Sequence, residues 1–280
     1  MQENLFHHVS IKTSRLITRS YSTSFSLATR MFDEETRDAI YSIYGFVRVA
    51  DEIVDTFHGY DKVHLLAKFK EDYHDALKHG ISSNPVLNAF QYTVKKYGIS
   101  EEHVLAFLNS MKADLTKNDY FNQSETNEYI YGSADVVGLM CLKVFCNGDQ
   151  ELYNKLKLSA MKLGSAFQKV NFLRDLKNDI ENLGRRYFPE LTENQLDNRI
   201  KNQLIADIQS DFEVAFTGIR HLPGRSKLAV LIAYYYYRSL LRKIQHTPAR
   251  NVINSRIRIS NIRKFLLLMK ASFDYKLKLI

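Results

Sequence analysis

The sequence predicts an all-α fold, and three features point that way. Only 4 Pro and 11 Gly occur among 280 residues, so long helices with short connections are expected. Apolar residues recur at helical spacing along most of the chain. No stretch alternates apolar and polar residues long enough to read as a strand. No Pro-, Gly- or Ser-rich linker divides the chain and no internal repeat is visible. Residues 1–280 are therefore read as one domain.

Taken in order, the periodicity predicts helices near 3–19, 34–57, 61–79, 84–97, 101–118, 124–146, 150–181, 198–221, 225–246 and 253–276. Breakers separate them: "HGY" at 58–60, "YGIS" at 97–100, "NGD" at 147–149 and "LPG" at 222–224. Asp33, Ser100 and Ser124 each precede a Glu and are read as N-caps. A hydrophobic share of 45% with 17 Phe and 17 Tyr is a globular composition able to fill a sizeable core.

Charge narrows the partners. Lys and Arg give a net charge of +8, which suits an acidic partner: nucleic acid, anionic lipid or a phosphorylated substrate. Cys141 and Cys146 form no zinc or disulfide pattern and are read as buried, reduced thiols. The segment "MQENLFHHVSIKTSR" lacks the apolar core of a signal peptide, and no run of about 18 apolar residues suggests a membrane span. A cytoplasmic protein is expected, or one resting on the inner face of the membrane.

Two segments carry the chemistry. "RVADEIVDTFH" (48–58) sets Asp51 and Asp55 four apart in apolar company. "QKVNFLRDLKNDIENLGRRYFP" (168–189) repeats this with Asp175 and Asp179. At 100° per residue, Gly164, Gln168, Asn171, Phe172, Asp175 and Asp179 share one face, as do Ile40, Tyr44, Val47, Arg48, Asp51 and Asp55. Carboxylates at this spacing repel unless a cation intervenes, and two such pairs could hold hard divalent ions through oxygen. Either pair alone would be an ordinary solvated face, and Arg48 and Arg174 ordinary ion-pair partners. The duplication, each pair closing an apolar stripe behind an Arg, is what argues for a site.

These motifs resemble the squalene and phytoene synthases, which join prenyl diphosphates head to head. "YSIYGFVRVADEIVD" is similar to the family's first aspartate-rich motif, and "LGSAFQKVNFLRDLKND" with "GRRYFP" to its second. "STSFSLATRMF", "YIYGSADVVGLM", "YYRSLLRKI" and "RIRIS" resemble the remaining conserved segments, in order, from about Ser14 to Lys264. The resemblance implies one isoprenoid-synthase-like helical domain with a central cavity. It implies Mg²⁺, with Mn²⁺ as a substitute, held by Asp51, Asp55, Asp175 and Asp179 beside Asn171. Ser24, Arg48, Arg174, Arg256 and Tyr237 would meet diphosphate, Tyr237 counting with the aspartates as catalytic. Phe25, Tyr44, Tyr129, Ala134, Val137, Gly138, Leu142 and Gln168 would line the prenyl channels.

The activity so implied is phytoene formation from two geranylgeranyl diphosphates through a cyclopropylcarbinyl diphosphate. Dehydrosqualene or squalene formation from farnesyl diphosphate is the alternative. Three residues depart from the family pattern: Asn178 where an acid is common, Asp135 in the central helix and Lys169 in the second motif. The last two are expected to point away from the pocket. Of Tyr234 to Tyr237, consecutive helical residues pointing four ways, only Tyr237 is assigned to the site. His7 and His8 are read as surface residues. The C-terminal "IRKFLLLMKASFDYKLKLI" is both basic and apolar, fit either for helix packing or for membrane contact. A nucleic-acid-binding or scaffold module would instead cluster its positive charge without inward carboxylates, so no nucleic acid partner is expected. Oligomeric state is not legible.

Overall fold

Phe46 is wholly buried, and three neighbouring helices close four rings around it. Its ring lies 3.9 Å from Phe90, 5.4 Å from Phe69, 5.6 Å from Tyr73 and 5.9 Å from Phe107. Such offset and tilted aromatic pairs add to the burial of apolar area itself. This knot unites α3 (Glu34–Asp55), α4 (Lys62–His79), α5 (Pro85–Tyr97) and α6 (Glu101–Ala113), with α1 (Gln2–Tyr21) packed outside on α3 and α5. The computed structural model describes residues 2–191 and 196–280. Among these no strand occurs, and the sole ladder contact is an isolated bridge between Asp119 and Arg186.

The second half is organised by α9 (Gln150–Glu181), 32 residues and so about 48 Å long. Around it pack α8 (Val136–Cys146), α10 (Asn198–Ile219), α11 (Gly224–His246) and α12 (Ala249–Asn254). α2 (Thr23–Thr29) joins α1 to the top of α3, and α13 (Asn261–Lys276) lies along α11.

The described helices agree with the predicted ones except at four places, one of them the end of 101–118, where α6 stops at Ala113. Residues 23–29 form a short helix that periodicity missed, because seven residues are too few for a 3.6-residue repeat to show. The predicted 124–146 helix is α7 (Gln123–Ile130) and α8 joined by a π-turn, Tyr131–Asp135. Its N-cap is Asn122, whose side chain accepts from the Glu125 amide, rather than Ser124. By length and composition 123–146 could cross a bilayer, yet much of it is core, with Val136, Leu139, Met140 and Leu142 buried. The predicted 253–276 helix is broken: residues 255–260 are not helical. There "RIRIS" alternates, Ile257 and Ile259 buried and Arg256 and Arg258 exposed. Ser260 then caps α13 by accepting from the Arg263 amide.

Glycine decides how closely α8 and α9 approach. A Cβ on Gly138 would stand 2.8 Å from the Ala160 carbonyl, and one on Gly164 2.7 Å from that of Ala134. The two helices thus touch backbone to backbone. Asp135 and Lys169 do point away from the aspartates, but into the protein: Ser165 donates to Asp135 at 2.7 Å, while Lys169 meets Asp207 at 2.5 Å and Asp211 at 2.7 Å. Burial of these charges is tolerable only because each is paired.

Candidate active site

The last two turns of α3 carry Asp51, Glu52 and Asp55, where the helix dipole is negative and carboxylates are least welcome. Arg48, one turn earlier, bonds both Asp51 and Glu52 and lies 4.2 Å over the Tyr21 ring. Even so, burial, and next the neighbouring Asp55, push the Asp51 carboxyl up to about 6. Two phenomena combine here, desolvation and like-charge repulsion, and both favour the protonated form.

The C-terminal end of α9 repeats the arrangement. Arg174 folds back on Asp175, its Nε 3.0 Å from Oδ2. Arg256, on the extended arm before α13, reaches the other oxygen of Asp175 at 2.7 Å. One turn on, Asp179 is pushed up to about 7 by burial, then by Asp175 and by Asp55 across the gap. The two aspartate motifs, 124 residues apart in sequence from Asp51 to Asp175, therefore lie near enough for Asp55 to act on Asp179.

Between them stands Arg185, which sequence reasoning quoted within "GRRYFP" but gave no role. It is buried, donates from Nη1 to Asp55 at 2.7 Å and from Nη2 to the Asp114 carbonyl at 3.0 Å. A backbone clamp sets it there: the Tyr120 amide bonds the Arg186 carbonyl at 3.2 Å and the Arg186 amide that of Asn118 at 2.8 Å. Asp114 is buried and receives the Tyr129 hydroxyl at 2.9 Å, and burial pushes its carboxyl up to about 7 against the pull of Arg185. Asp114 was also missed. The predicted helix 101–118 placed it on a helix, whereas α6 stops at Ala113 and leaves Asp114 as its C-cap. The tight glycine before the pair, Gly184 at φ 67°, was the signal available for Arg185.

Between α8, α9, α10 and α11 lies a half-open apolar pocket of about 490 Å³, counting the space open to solvent. Gly138, Leu142, Gly164 and Phe167 line it, and Leu156, Gly218, Ile219 and Leu222 do so farther along α9 and α10. Phe167 joins cavity to polar site: it stacks 3.9 Å from Tyr237, whose hydroxyl lies 3.3 Å from Asn171 Oδ1. Gln168, one position on, donates to Ser133 in the π-turn at 3.4 Å.

The remaining expected residues are distributed as follows. Phe25 stacks on Tyr44 at 4.8 Å, on the α2–α3 side, with half-buried Ser24 beside it. Tyr129 belongs to an aromatic cluster with Tyr120, Phe172 and Tyr187. Ala134 and Val137 are half-buried and do not border the apolar cavity. Tyr234 to Tyr236 are committed elsewhere: Tyr234 stacks on Phe216, Tyr235 donates to Asp274 at 2.7 Å, and Tyr236 lies under Lys264. Asn178 is exposed. His7 is half-buried, its ring 4.1 Å from that of Tyr92, and so is a packing residue rather than a surface one.

The donors suit a hard cation. They are all oxygen, they crowd one another at helix C-termini, and two are held above the usual carboxylate range. Among the described residues no three carboxylate, imidazole or thiol groups close on one point. An ion that keeps waters and takes one or two carboxylates plus phosphate oxygens does not need such a cluster.

The squalene/phytoene synthase family model matches residues 18–263. Among curated relatives, the phytoene synthase of Arthrospira platensis is 28% identical, over 92% of this chain and 91% of that one. The 4,4'-diapophytoene synthase of Staphylococcus haemolyticus is 24% identical, over 93% and 95%. The 15-cis-phytoene synthase of Pantoea ananas is 26% identical, over 90% and 87%. Among solved structures, a dehydrosqualene synthase in complex with ligand superposes with a TM-score of 0.83 at 22% identity, covering 96% of this chain and 98% of that one. A squalene synthase from Alicyclobacillus acidocaldarius gives 0.75 at 22%, covering 89% and 96%. At that identity the superpositions establish a shared helical fold, and with the family match along most of its length the chain belongs to the squalene/phytoene synthase family.

Proposed function

We propose that this protein is a prenyltransferase that joins two geranylgeranyl diphosphates head to head, forming phytoene with release of two diphosphates and two protons. The observation that carries the reading is the continuity along α9. One helix lines the apolar cavity from Leu156 to Phe167, turns polar at Gln168 and Asn171, and ends in Arg174, Asp175 and Asp179. From Leu156 to Asp175 it runs about 28 Å. A substrate with a long apolar tail and a polyanionic head matches such a gradient.

In this reading Arg48, Arg174 and Arg256 take the diphosphates, exchanging their present carboxylate partners for phosphate oxygens. Asp51, Asp55, Asp175 and Asp179 would hold divalent ions, which supply Lewis-acid neutralisation of the departing diphosphate. C1 of the donor then bonds to the C2–C3 double bond of the acceptor, and loss of a proton gives a cyclopropylcarbinyl diphosphate. Departure of its diphosphate, rearrangement and loss of a second proton give the linear product. The aromatic faces of Phe167, Tyr44 and Phe25, with the Asn171 and Tyr237 dipoles, steady cationic carbon away from water.

Formation of dehydrosqualene from two farnesyl diphosphates is the second reading, favoured by the diapophytoene synthase among the relatives. Incubating the purified protein with Mg²⁺ and either diphosphate, then identifying the hydrocarbon by mass spectrometry, separates the two. Turnover of the C15 substrate with neglect of the C20 one would replace the first reading by the second. No hydrocarbon from either would remove both.

A further inference from the structure

The outer face of α13 has no partner among the described residues. Ile262, Phe265, Leu266, Met269 and Phe273 are 76, 60, 52, 52 and 60% exposed. At 100° per residue they occupy an arc of about 100° on one side of the helix. The opposite side is the packed one, where Leu267 and Ala271 are buried as α13 lies along α11. Leu277 and Leu279 continue the exposed apolar surface beyond the helix. Scattered exposed apolar residues need no explanation, but a continuous stripe of them does.

The charge around the stripe has one sign. Arg263, Lys264, Lys270, Lys276 and Lys278 accompany it, and the single acid between 261 and 280, Asp274, is buried and bonded by Lys270 and Tyr235. Beside it opens a groove of about 790 Å³, lined by Arg242, Lys243 and His246 of α11 together with Ser260 and Arg263. We propose that this face docks on an anionic phospholipid bilayer, the apolar stripe entering among the acyl chains and the basic rim and groove taking headgroup phosphates. A second copy of the chain suits it less well, because a twofold contact would press the same cations against their own counterparts.

The position is useful to the site. Lys264 donates to the Thr23 hydroxyl at 3.2 Å, next to Ser24 and Phe25, and the arm leading into α13 carries Arg256 to Asp175. Docking therefore sets the bilayer beside the candidate site. The inference itself rests on the surface and holds for either prenyl chain length.

The chain contains no Trp, so Phe265→Trp gives a probe without background. Its emission is expected to shift to the blue with phosphatidylglycerol vesicles and not with phosphatidylcholine vesicles at the same salt. In co-sedimentation, Phe265→Ser/Met269→Ser/Phe273→Ser should lower partitioning onto phosphatidylglycerol at least tenfold, with circular dichroism and melting temperature unchanged. Arg242→Gln/Arg263→Gln should lower it severalfold, and less at high salt. Failure of the wild type to bind these vesicles, or unchanged binding by the triple variant, would overturn the proposal. So would light scattering that shows a dimer which the triple variant dissolves.

Discussion

Arg185 Nη1 lies 2.7 Å from Asp55 Oδ1, joining two residues 130 positions apart and tying the end of α3 to the segment after α9. The same guanidinium holds the carbonyl of Asp114, so one buried cation links α3, the end of α6 and the segment after α9. Arg185→Gln should destabilise the protein by about 3–5 kcal/mol, because buried carboxylates lose their partner. Chemical denaturation of Arg185→Gln, Asp114→Asn and the double variant checks this. Costs of the singles that simply add in the double would show that the two residues do not act together.

Asp51→Asn and Asp175→Asn should lower prenyl turnover far more than they lower stability. Removing one anion from a crowded cluster relieves repulsion, whereas a neutral amide is a poor ligand for a divalent ion. Turnover and denaturation midpoint measured on both variants are the check. Chelation should abolish turnover, and added Mg²⁺ or Mn²⁺ should restore it.

The acidic cavity also has a pH signature. Asp51 and Asp179 sit near 6 and 7 in the folded protein, above their ordinary 3.8. Between those limits the folded state holds protons that the unfolded state has lost, so without divalent ions stability falls as pH rises from about 4 to 7. Asp51→Asn should therefore melt close to wild type at pH 4 and above it at pH 7.5. Divalent ions require the deprotonated carboxylates, so Mg²⁺ affinity should weaken below pH 7 and binding there should release protons, seen by calorimetry in buffers of different ionisation enthalpy.

Tyr237→Phe keeps the stack on Phe167 and loses only the contact to Asn171. Its stability should change by about 1 kcal/mol or less. Turnover should fall by more than that change converts to, about tenfold or beyond, if the hydroxyl faces the substrate. Equal small effects on both would assign Tyr237 to packing.

Chain length is tested in the apolar pocket. Ile219, at the end of α10, lines it. Ile219→Phe should penalise the C20 diphosphate more than the C15 one, overpacking a rigid pocket costing about 1–3 kcal/mol. Gly138 is a poorer place to probe depth, since a methyl there meets the Ala160 carbonyl and forces α8 from α9. Equal kcat/KM losses for both substrates at Ile219 would show that the tail does not reach it.

The helices were legible because their cause is local: apolar residues at 3.6-residue spacing, a cap such as Asp33, and a breaker such as the left-handed Gly98. The acidic turns of Asp51, Asp55, Asp175 and Asp179 were legible for the same reason, two carboxylates four apart being a pattern within one helix. What the linear chain could not show is what each end faces. Arg185 and Asp114 are ordinary charged residues in sequence, and only the clamp between residues 118–120 and 186 turns them into the cavity. Arg256 sat inside a predicted helix, although the alternation of "RIRIS" was there to be read, and the extended arm is what lets it reach Asp175. Gly138 was expected along a prenyl channel and does border the apolar pocket, but a Cβ there would meet the Ala160 carbonyl where α8 and α9 cross. Local spacing thus determined the elements and the acidic motifs. The tertiary structure decided which charges meet, because burial and pairing depend on neighbours that sequence distance does not encode.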